Sequence, residues 1–169
     1  MRKLFALAAV LVLMSGCASV QRLDAAGDVH ALLISIRDND TATFDSHVDR
    51  PALEREIETR MYAEARKHTS SSSLGALGAL LAPTLAQVAG DALIQPSTFR
   101  AAAEYYGYKP SKPIPGQFAL STILRPMDDG RVCAVRKKEG PCTLIFTQRD
   151  GIWKLSGFEG DFADLRLKR

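Results

Sequence analysis

The fold is decided by one stretch of the chain, Gln117–Glu159: QFALSTILRPMDDGRVCAVRKKEGPCTLIFTQRDGIWKLSGFE. Its apolar residues fall into four short segments separated by turn residues, and Asp150-Gly151 is the strongest hairpin signal in the chain. The segments predict four strands, at residues 118–124, 131–137, 142–149 and 152–158. Strands joined by successive hairpins form an antiparallel meander, and helices can cover one face of such a sheet.

The alternation of side chains assigns faces within these strands, among them the first and the last. Trp153 and Leu155 point the same way on the last strand. The first strand is predicted to place four residues on its more deeply buried face: Phe118, Leu120, Thr122 and Leu124. We expect the helices that precede the sheet to supply the other half of the core.

Helical periodicity dominates the chain before the sheet. A first helix over about 29–37 is predicted from apolar residues at i, i+3, i+4 and i+7. Asp40 is placed to cap a short second helix, Thr41–His47, and Pro51 fits the first turn of a third. A last helix is predicted over Phe99–Tyr106.

The segment Leu74–Leu93 is almost entirely apolar and has two interpretations. Twenty residues are long enough to span a bilayer, and small residues four apart suit close helix contacts. Pro83, Gln87 and Asp91 weigh against a membrane span, because polar groups are expensive inside a bilayer. A core helix bent at Pro83 is therefore the preferred interpretation.

Two cysteines flank the second predicted turn of the sheet. Opposed strands can bring the Cα atoms of Cys133 and Cys142 within the distance of about 4.4–6.8 Å that a disulfide requires. Such a bond would close a short loop and stabilise the fold by at most about 3 kcal/mol. The alternative is a pair of thiols in a reducing compartment, and the beginning of the chain bears on that choice.

The first residues have the pattern of an export signal. Arg2 and Lys3 precede the apolar run Leu4–Leu13, which is too short to span a membrane comfortably. The run ends in Leu13-Met14-Ser15-Gly16-Cys17, which resembles the lipobox of bacterial lipoproteins. This resemblance implies that residues 1–16 are a cleaved signal peptide and that Cys17 carries the lipid. The alternatives are an ordinary secreted protein and a short anchor.

The lipobox has consequences for the other cysteines and for location. Assigning Cys17 to the lipid leaves one pair outside the cytoplasm, where a Cys133–Cys142 disulfide can persist. The resemblance implies attachment to the periplasmic side of a cell-envelope membrane. Ala18 and Ser19 follow the lipid site without an aspartate, and in lipoproteins of this kind that favours the outer membrane over the inner.

Charge and length exclude some classes of partner. The formal net charge is +3 at pH 7, and removal of Arg2 and Lys3 with the leader lowers it to +1. A chain so close to neutrality is not expected to bind nucleic acid.

The predicted class is α+β, with N-terminal helices packed on the four-stranded meander. The predicted order is signal peptide 1–16, tether 17–24, one domain over 25–160 (helices about 25–107, proline-rich connector 108–116, sheet 117–159) and tail 161–169.

Three further segments resemble a known family. They are Ser35–Asp40, Val48–Leu53 and Gln95–Phe99, and they resemble the uncharacterised bacterial family called domain of unknown function 2939. The resemblance extends over about residues 25–160 and implies no activity. The chain departs from the family pattern, which has Gly, Phe and Arg, at Asn39, Arg50 and Glu54.

No catalytic, metal or cofactor site is predicted. His30, His47 and His68 lie on separate predicted helices without the spacing of a metal motif. The aspartates of the two Asp-rich turns, residues 38–40 and 128–129, lack the spacing of an EF-hand loop and suit turns. No serine lies in a nucleophile-elbow context, and no glycine-rich loop has a lysine partner.

Two functional hypotheses remain. The first is a non-enzymatic, membrane-tethered envelope protein that contacts another envelope component. The second is a cone-like pocket for a small apolar ligand, because helices followed by a curved sheet are similar to the nuclear-transport-factor-like superfamily. That pocket would need a cavity of at least about 300 Å³ between sheet and helices.

Overall fold

The computed structural model describes residues 2–68, 90–105, 107–135, 140 and 142–159. The strands form one antiparallel sheet in the order β1-β2-β3-β4, so the predicted α+β class and the meander are confirmed. The elements are α1 (Arg2–Asp38), α2 (Thr41–Ser46), α3 (Arg50–His68), α4 (Pro96–Tyr105), α5 (Gln117–Ser121), β1 (Leu124–Pro126), β2 (Val132–Val135), β3 (Cys142–Arg149) and β4 (Ile152–Phe158).

Helix α1 is much longer than the helix predicted over 29–37. The first 50 residues contain no proline and only two glycines, so no strong breaker interrupts the helix before Asp38. The helix ends where Asn39 adopts a left-handed φ of 56°. The backbone N–H of Asp40 then donates to the carbonyl of Ser35 at 2.9 Å, which is the hydrogen bond of a Schellman motif.

Residues 17–24 belong to α1 and differ from the tether that was predicted there. Gln21 Nε2 donates to the carbonyl of Gly130 at 3.0 Å, in the turn between β1 and β2. Ala25 and Ala26, which follow directly, are fully buried. The helix therefore contacts the rest of the protein from residue 21 onward, because its packed face continues toward the N terminus.

The prediction of a strand over residues 118–124 is wrong. Residues 117–121 form helix α5, and β1 begins only at Leu124. A strand would have put Phe118 and Leu120 on the same face, but Phe118 is 79% exposed while Leu120 is buried. Leu120 and Leu124 are four residues apart and both are buried. A short apolar run is compatible with the periodicity of a helix and with that of a strand. Here the segment packs against α1, and this contact favours the helix.

The remaining strands follow the predicted pattern. Asp150 and Gly151 have φ angles of 54° and 80°, so they form the predicted hairpin turn between β3 and β4. Trp153 and Leu155 are both buried, which confirms their common face. One pairing was not predicted, because it joins distant parts of the chain: Val48 forms a parallel bridge with Leu155 at the edge of β4.

Side-chain caps set the starts of α2 and α3. Asp40 Oδ1 accepts from the backbone N–H of Thr43 at 3.2 Å, as predicted from the sequence. Asp49 Oδ1 accepts from the backbone N–H of Ala52 at 3.1 Å and caps α3 in the same way. Pro51 lies in the first turn of α3, as predicted, where its missing N–H removes no helical hydrogen bond.

Some predictions fall on residues that the structure does not describe. These are the serine-rich connection 70–73, the first sixteen residues of the predicted core helix Leu74–Leu93, the end of the second predicted strand at 136–137 and the tail 161–169. Residues 90–93 are helical, and 108–116 contain neither helix nor strand. In the described ranges, no helix has the combined length and apolar character that a bilayer span requires.

The core lies between the helices and one face of the sheet. Its centre includes Phe44 of α2, which is fully buried, and Phe146 of β3, which is 1% exposed. The ring of Phe44 meets that of Phe99 edge to face, with centroids 5.4 Å apart. α2 is thus anchored to α4 as well as to the sheet.

Replacing Phe44 by Ala is expected to lower the free energy of unfolding by about 3–5 kcal/mol, because it leaves a cavity and removes the contact with Phe99. Urea denaturation monitored by Trp153 fluorescence measures the change. Phe118→Ala is the matched control, and its exposed ring predicts a change within about 0.5 kcal/mol. Equal effects of the two substitutions would contradict this account of the core.

Candidate functional site

The sequence-predicted lipidation residue, Cys17, lies in α1. The structure describes the side chains of α1 from the next residue, Ala18, onward. The guanidinium of Arg22 donates from Nε to the carbonyl of Ala18 at 3.2 Å. The helix geometry thus continues without a break from the proposed acylation position into the packed part of the domain.

Trp153 connects α1 to the sheet through two carboxylates. Its indole Nε1 donates to Asp24 Oδ2 at 2.8 Å, and its backbone N–H donates to Asp28 Oδ2 at 2.7 Å. The other carboxylate oxygen of Asp28 lies 3.6 Å from His47 Nε2. The His47 ring also has Nδ1 2.8 Å from the carbonyl of Thr43, which requires that nitrogen to donate.

These contacts give His47 a structural role between α1 and α2. Within the described ranges, no group of three or more His, Cys, Asp and Glu residues is arranged to hold a metal ion. Sequence reasoning missed the link between Asp24, Asp28 and Trp153, because the partners are more than 120 residues apart. One feature of the sequence could have indicated this link: Asp24 and Asp28 are one helical turn apart, so both carboxylates lie on the same side of α1.

The Asp-rich turns are held by neighbouring arginines. Arg37 Nε donates to Asp38 Oδ1 at 2.7 Å, and this hydrogen bond lowers the pKa of Asp38. Arg131 Nε donates to Asp129 Oδ2 at 2.7 Å and lowers the pKa of that carboxyl in the same way. Each carboxylate is therefore ionised at neutral pH and engaged within its own turn.

The second pair of predicted site residues, Cys133 and Cys142, forms a disulfide with Cα atoms 5.5 Å apart. The bond confirms the pairing predicted from the cysteine count, and the distance lies within the expected range. It joins β2 to β3 beside a register shift between Ala134 and Val135. Together with Val135 and Met127, the two cysteines form a small cluster separate from the main core.

A surface cleft of about 330 Å³ opens where α3, the β3–β4 turn and β4 meet. Its lining residues come from both halves of the chain: Val48, Asp49, Pro51, Arg55, Arg149, Asp150 and Lys154. The parallel bridge between Val48 and Leu155 brings the start of α3 beside β4, and so creates the cleft. Lys154 lies on the side of β4 opposite to its buried neighbours Trp153 and Leu155.

Three cationic side chains surround the cleft, and within the described ranges only one of them has a carboxylate partner. Arg149 Nε lies 3.5 Å from Asp49 Oδ2, and the Asp49 side chain is only 13% exposed. Arg55 and Lys154 make no side-chain hydrogen bond or ion pair with any residue that the structure describes. The three cations come from α3, from the end of β3 and from β4, so a helix and two neighbouring strands supply positive charge to the cleft.

The chemistry of this lining suits binding of an anionic or mixed-charge group. The lining residues that the structure describes include no serine, cysteine, histidine or tyrosine. The cleft is also polar and lies at the edge of β4. It therefore differs from the apolar pocket hypothesised between sheet and helices, and the described residues give that hypothesis no support.

These features define an α+β protein in which a long N-terminal helix and shorter helices pack on a disulfide-linked, four-stranded antiparallel meander. The chain belongs to the family described as Protein of unknown function (DUF2939), whose model matches residues 5–102, more than half of the 169 residues. The match ends before the sheet, whereas the resemblance was expected to continue to about residue 160. No curated protein and no solved structure matches the chain.

Removing the disulfide is expected to weaken the fold without abolishing it. The double variant Cys133→Ala/Cys142→Ala loses a cross-link between positions nine residues apart. Because the closed loop is short, the loss in unfolding free energy should be at most about 3 kcal/mol. Urea denaturation with and without reductant measures this. The wild type should respond to reductant and the double variant should not; a double variant as stable as the oxidised wild type would show that the bond contributes nothing.

Proposed function

We propose that the protein is a lipid-anchored component of the bacterial cell envelope that binds another envelope component and does not catalyse a reaction. The observation that carries the proposal is the leader, in which basic residues and a short apolar run end in Ser15-Gly16-Cys17. Acylation of Cys17 would leave the body of the protein on the periplasmic side, and the residues after it favour the outer membrane. The sequence contains no other motif with comparable specificity.

The disulfide supports an oxidising location. A Cys133–Cys142 bond is expected to persist outside the cytoplasm and to be reduced inside it. Cys17 is the third cysteine of the chain, so the lipid and the disulfide together account for all three thiols. Export of the protein explains both features with one assumption.

The cleft is the proposed contact site for the envelope partner. Its volume of about 330 Å³ lies at the lower end of the range for ligand sites, about 300–1,000 Å³. Arg55 and Lys154 form no ion pair with a described residue, so neither has to break such a pair before it contacts an anionic group of the partner. Arg149 can turn from Asp49 toward the same group, since its side chain is 60% exposed. A carboxylate-bearing or phosphate-bearing partner fits these three cations.

The anchor is tested by the intact mass of the native protein extracted from membranes, measured with and without reductant. We expect loss of residues 1–16, the added mass of a diacylglycerol and an acyl chain, and a gain of two hydrogens on reduction. Cys17→Ser is the control, and it should retain the leader and carry no lipid. Native protein that keeps Met1, or that has no fatty acid at position 17, would refute the proposal.

The binding role is tested by affinity purification from detergent-solubilised envelopes with the wild type, Lys154→Glu and Lys109→Glu. Lys109 is an exposed lysine outside the cleft, so its reversal matches the change in net charge. We expect a reproducible partner whose recovery falls about tenfold with Lys154→Glu, through like-charge repulsion, and is unchanged with Lys109→Glu. Raised salt should weaken recovery. Equal recovery with both variants would exclude the cleft, and no reproducible partner would count against a binding role.

A further inference from the structure

Large apolar side chains are exposed on α1 and α5 close to the proposed lipid. Val20 is 68% exposed and Leu23 is 45% exposed, and they lie one turn apart on α1. Phe118 of α5 is the most exposed of the large apolar residues that the structure describes. Exposed single residues are ordinary, but apolar residues grouped on neighbouring helices often mark a contact surface.

Helix α5 is fixed against α1 beside Leu23. Gln117 Nε2 donates to the carbonyl of Leu23 at 2.7 Å. Gly27 lies one turn further on, where an added Cβ would be only 3.1 Å from Gln117 Nε2, so the two helices are in close contact. Phe118 follows Gln117 and points away from the core, because it is about 200° around the helix from the buried Leu120. We call Val20, Leu23 and Phe118 the anchor-side patch.

The patch is close to Cys17 along α1. At a rise of about 1.5 Å per residue, Val20 lies about 4.5 Å and Leu23 about 9 Å beyond Cys17, whereas Arg37 is about 30 Å away. A lipid at Cys17 would hold this end of the domain at the membrane surface.

We propose that the anchor-side patch rests on the lipid bilayer and fixes the orientation of the domain beside its anchor. The proposal rests on the acylation of Cys17 proposed above and adds a second, non-covalent contact with the same membrane. Apolar side chains at the headgroup boundary gain by leaving water, and a contact of this kind adds to the binding given by acyl chains. The opposite end of α1, with α4 beside it, then faces away from the membrane.

The test places a reporter in the patch and a matched reporter at the other end of the molecule. Phe118→Trp puts an indole in the patch, and Tyr105→Trp puts one on α4, where the wild-type ring is 69% exposed. α4 lies near the far end of α1, since Arg100 Nη1 donates to the carbonyl of Arg37 at 3.4 Å. The buried Trp153 is present in all variants. Its emission is therefore removed by subtracting the wild-type spectrum from that of each variant.

The proteins extracted from native membranes are reconstituted into vesicles of phosphatidylethanolamine and phosphatidylglycerol, with or without bromine on the acyl chains of these lipids. Bromine quenches an indole that lies at the headgroup boundary. We expect Phe118→Trp to lose about half of its added emission in brominated vesicles and Tyr105→Trp to be unaffected. Leu23→Trp is a second reporter in the patch, should Phe118→Trp fold poorly, and it should be quenched as well.

Each result bears on one of the two proposals. The intact mass of the same samples reports the acyl chains; if none is present, the anchor and the patch contact are both refuted. If the chains are present and the patch reporters are not quenched, the bilayer contact is refuted while the anchor stands. Equal quenching of Tyr105→Trp would also refute it, because the domain would then have no fixed orientation. A disulfide between two copies of a Phe118→Cys variant, without quenching of the patch reporters, would refute the bilayer contact and assign the patch to a dimer.

Discussion

The structure depends on how the free edge of β4 is covered. An edge strand presents unpaired N–H and C=O groups, which otherwise invite pairing with another chain. Here Asp28 accepts from the N–H of Trp153, and the segment around Val48 exchanges two hydrogen bonds with the N–H and C=O of Leu155. The carbonyl of Phe158 accepts from Arg60 Nη2 at 2.6 Å. One edge thus positions α1, the start of α3 and the middle of α3.

The contacts at this edge join distant parts of the chain, whereas the features that can be predicted from the sequence depend on residues close together in it. Local signals sufficed for the meander, for the turn at Asp150-Gly151 and for the cap at Asp40, because each depends on residues close together in the chain. The disulfide followed from a count of three cysteines and the expected anchor at Cys17. The helix α5 could not be predicted reliably, since the run from Gln117 fits both periods and only its contact with α1 selects one.

The cleft was missed for a related reason. Arg55 has the appearance of a solvated helix residue, and Lys154 that of an ordinary outward residue on a strand. Nothing in the sequence indicates that they border one cleft, because the bridge between Val48 and Leu155 that joins their elements is one isolated pair across more than 100 residues. A single backbone pairing at a strand edge leaves no periodic pattern, yet it decides which charges meet at the surface.

The extent of the family match has a structural implication. Residues 5–102 include α2, α3 and all but the first three residues of α1. Buried side chains of these helices, such as Leu32 and Phe44, belong to the same core as Phe146 and Trp153 of the sheet. Helices with one apolar face need a second layer, so the matched segment does not contain a complete core. The cleft is divided in the same way: Arg55 lies inside the matched segment and Lys154 outside it. The family match therefore accounts for only part of the cleft lining, and Arg149, Asp150 and Lys154 come from the sheet region that the match leaves out.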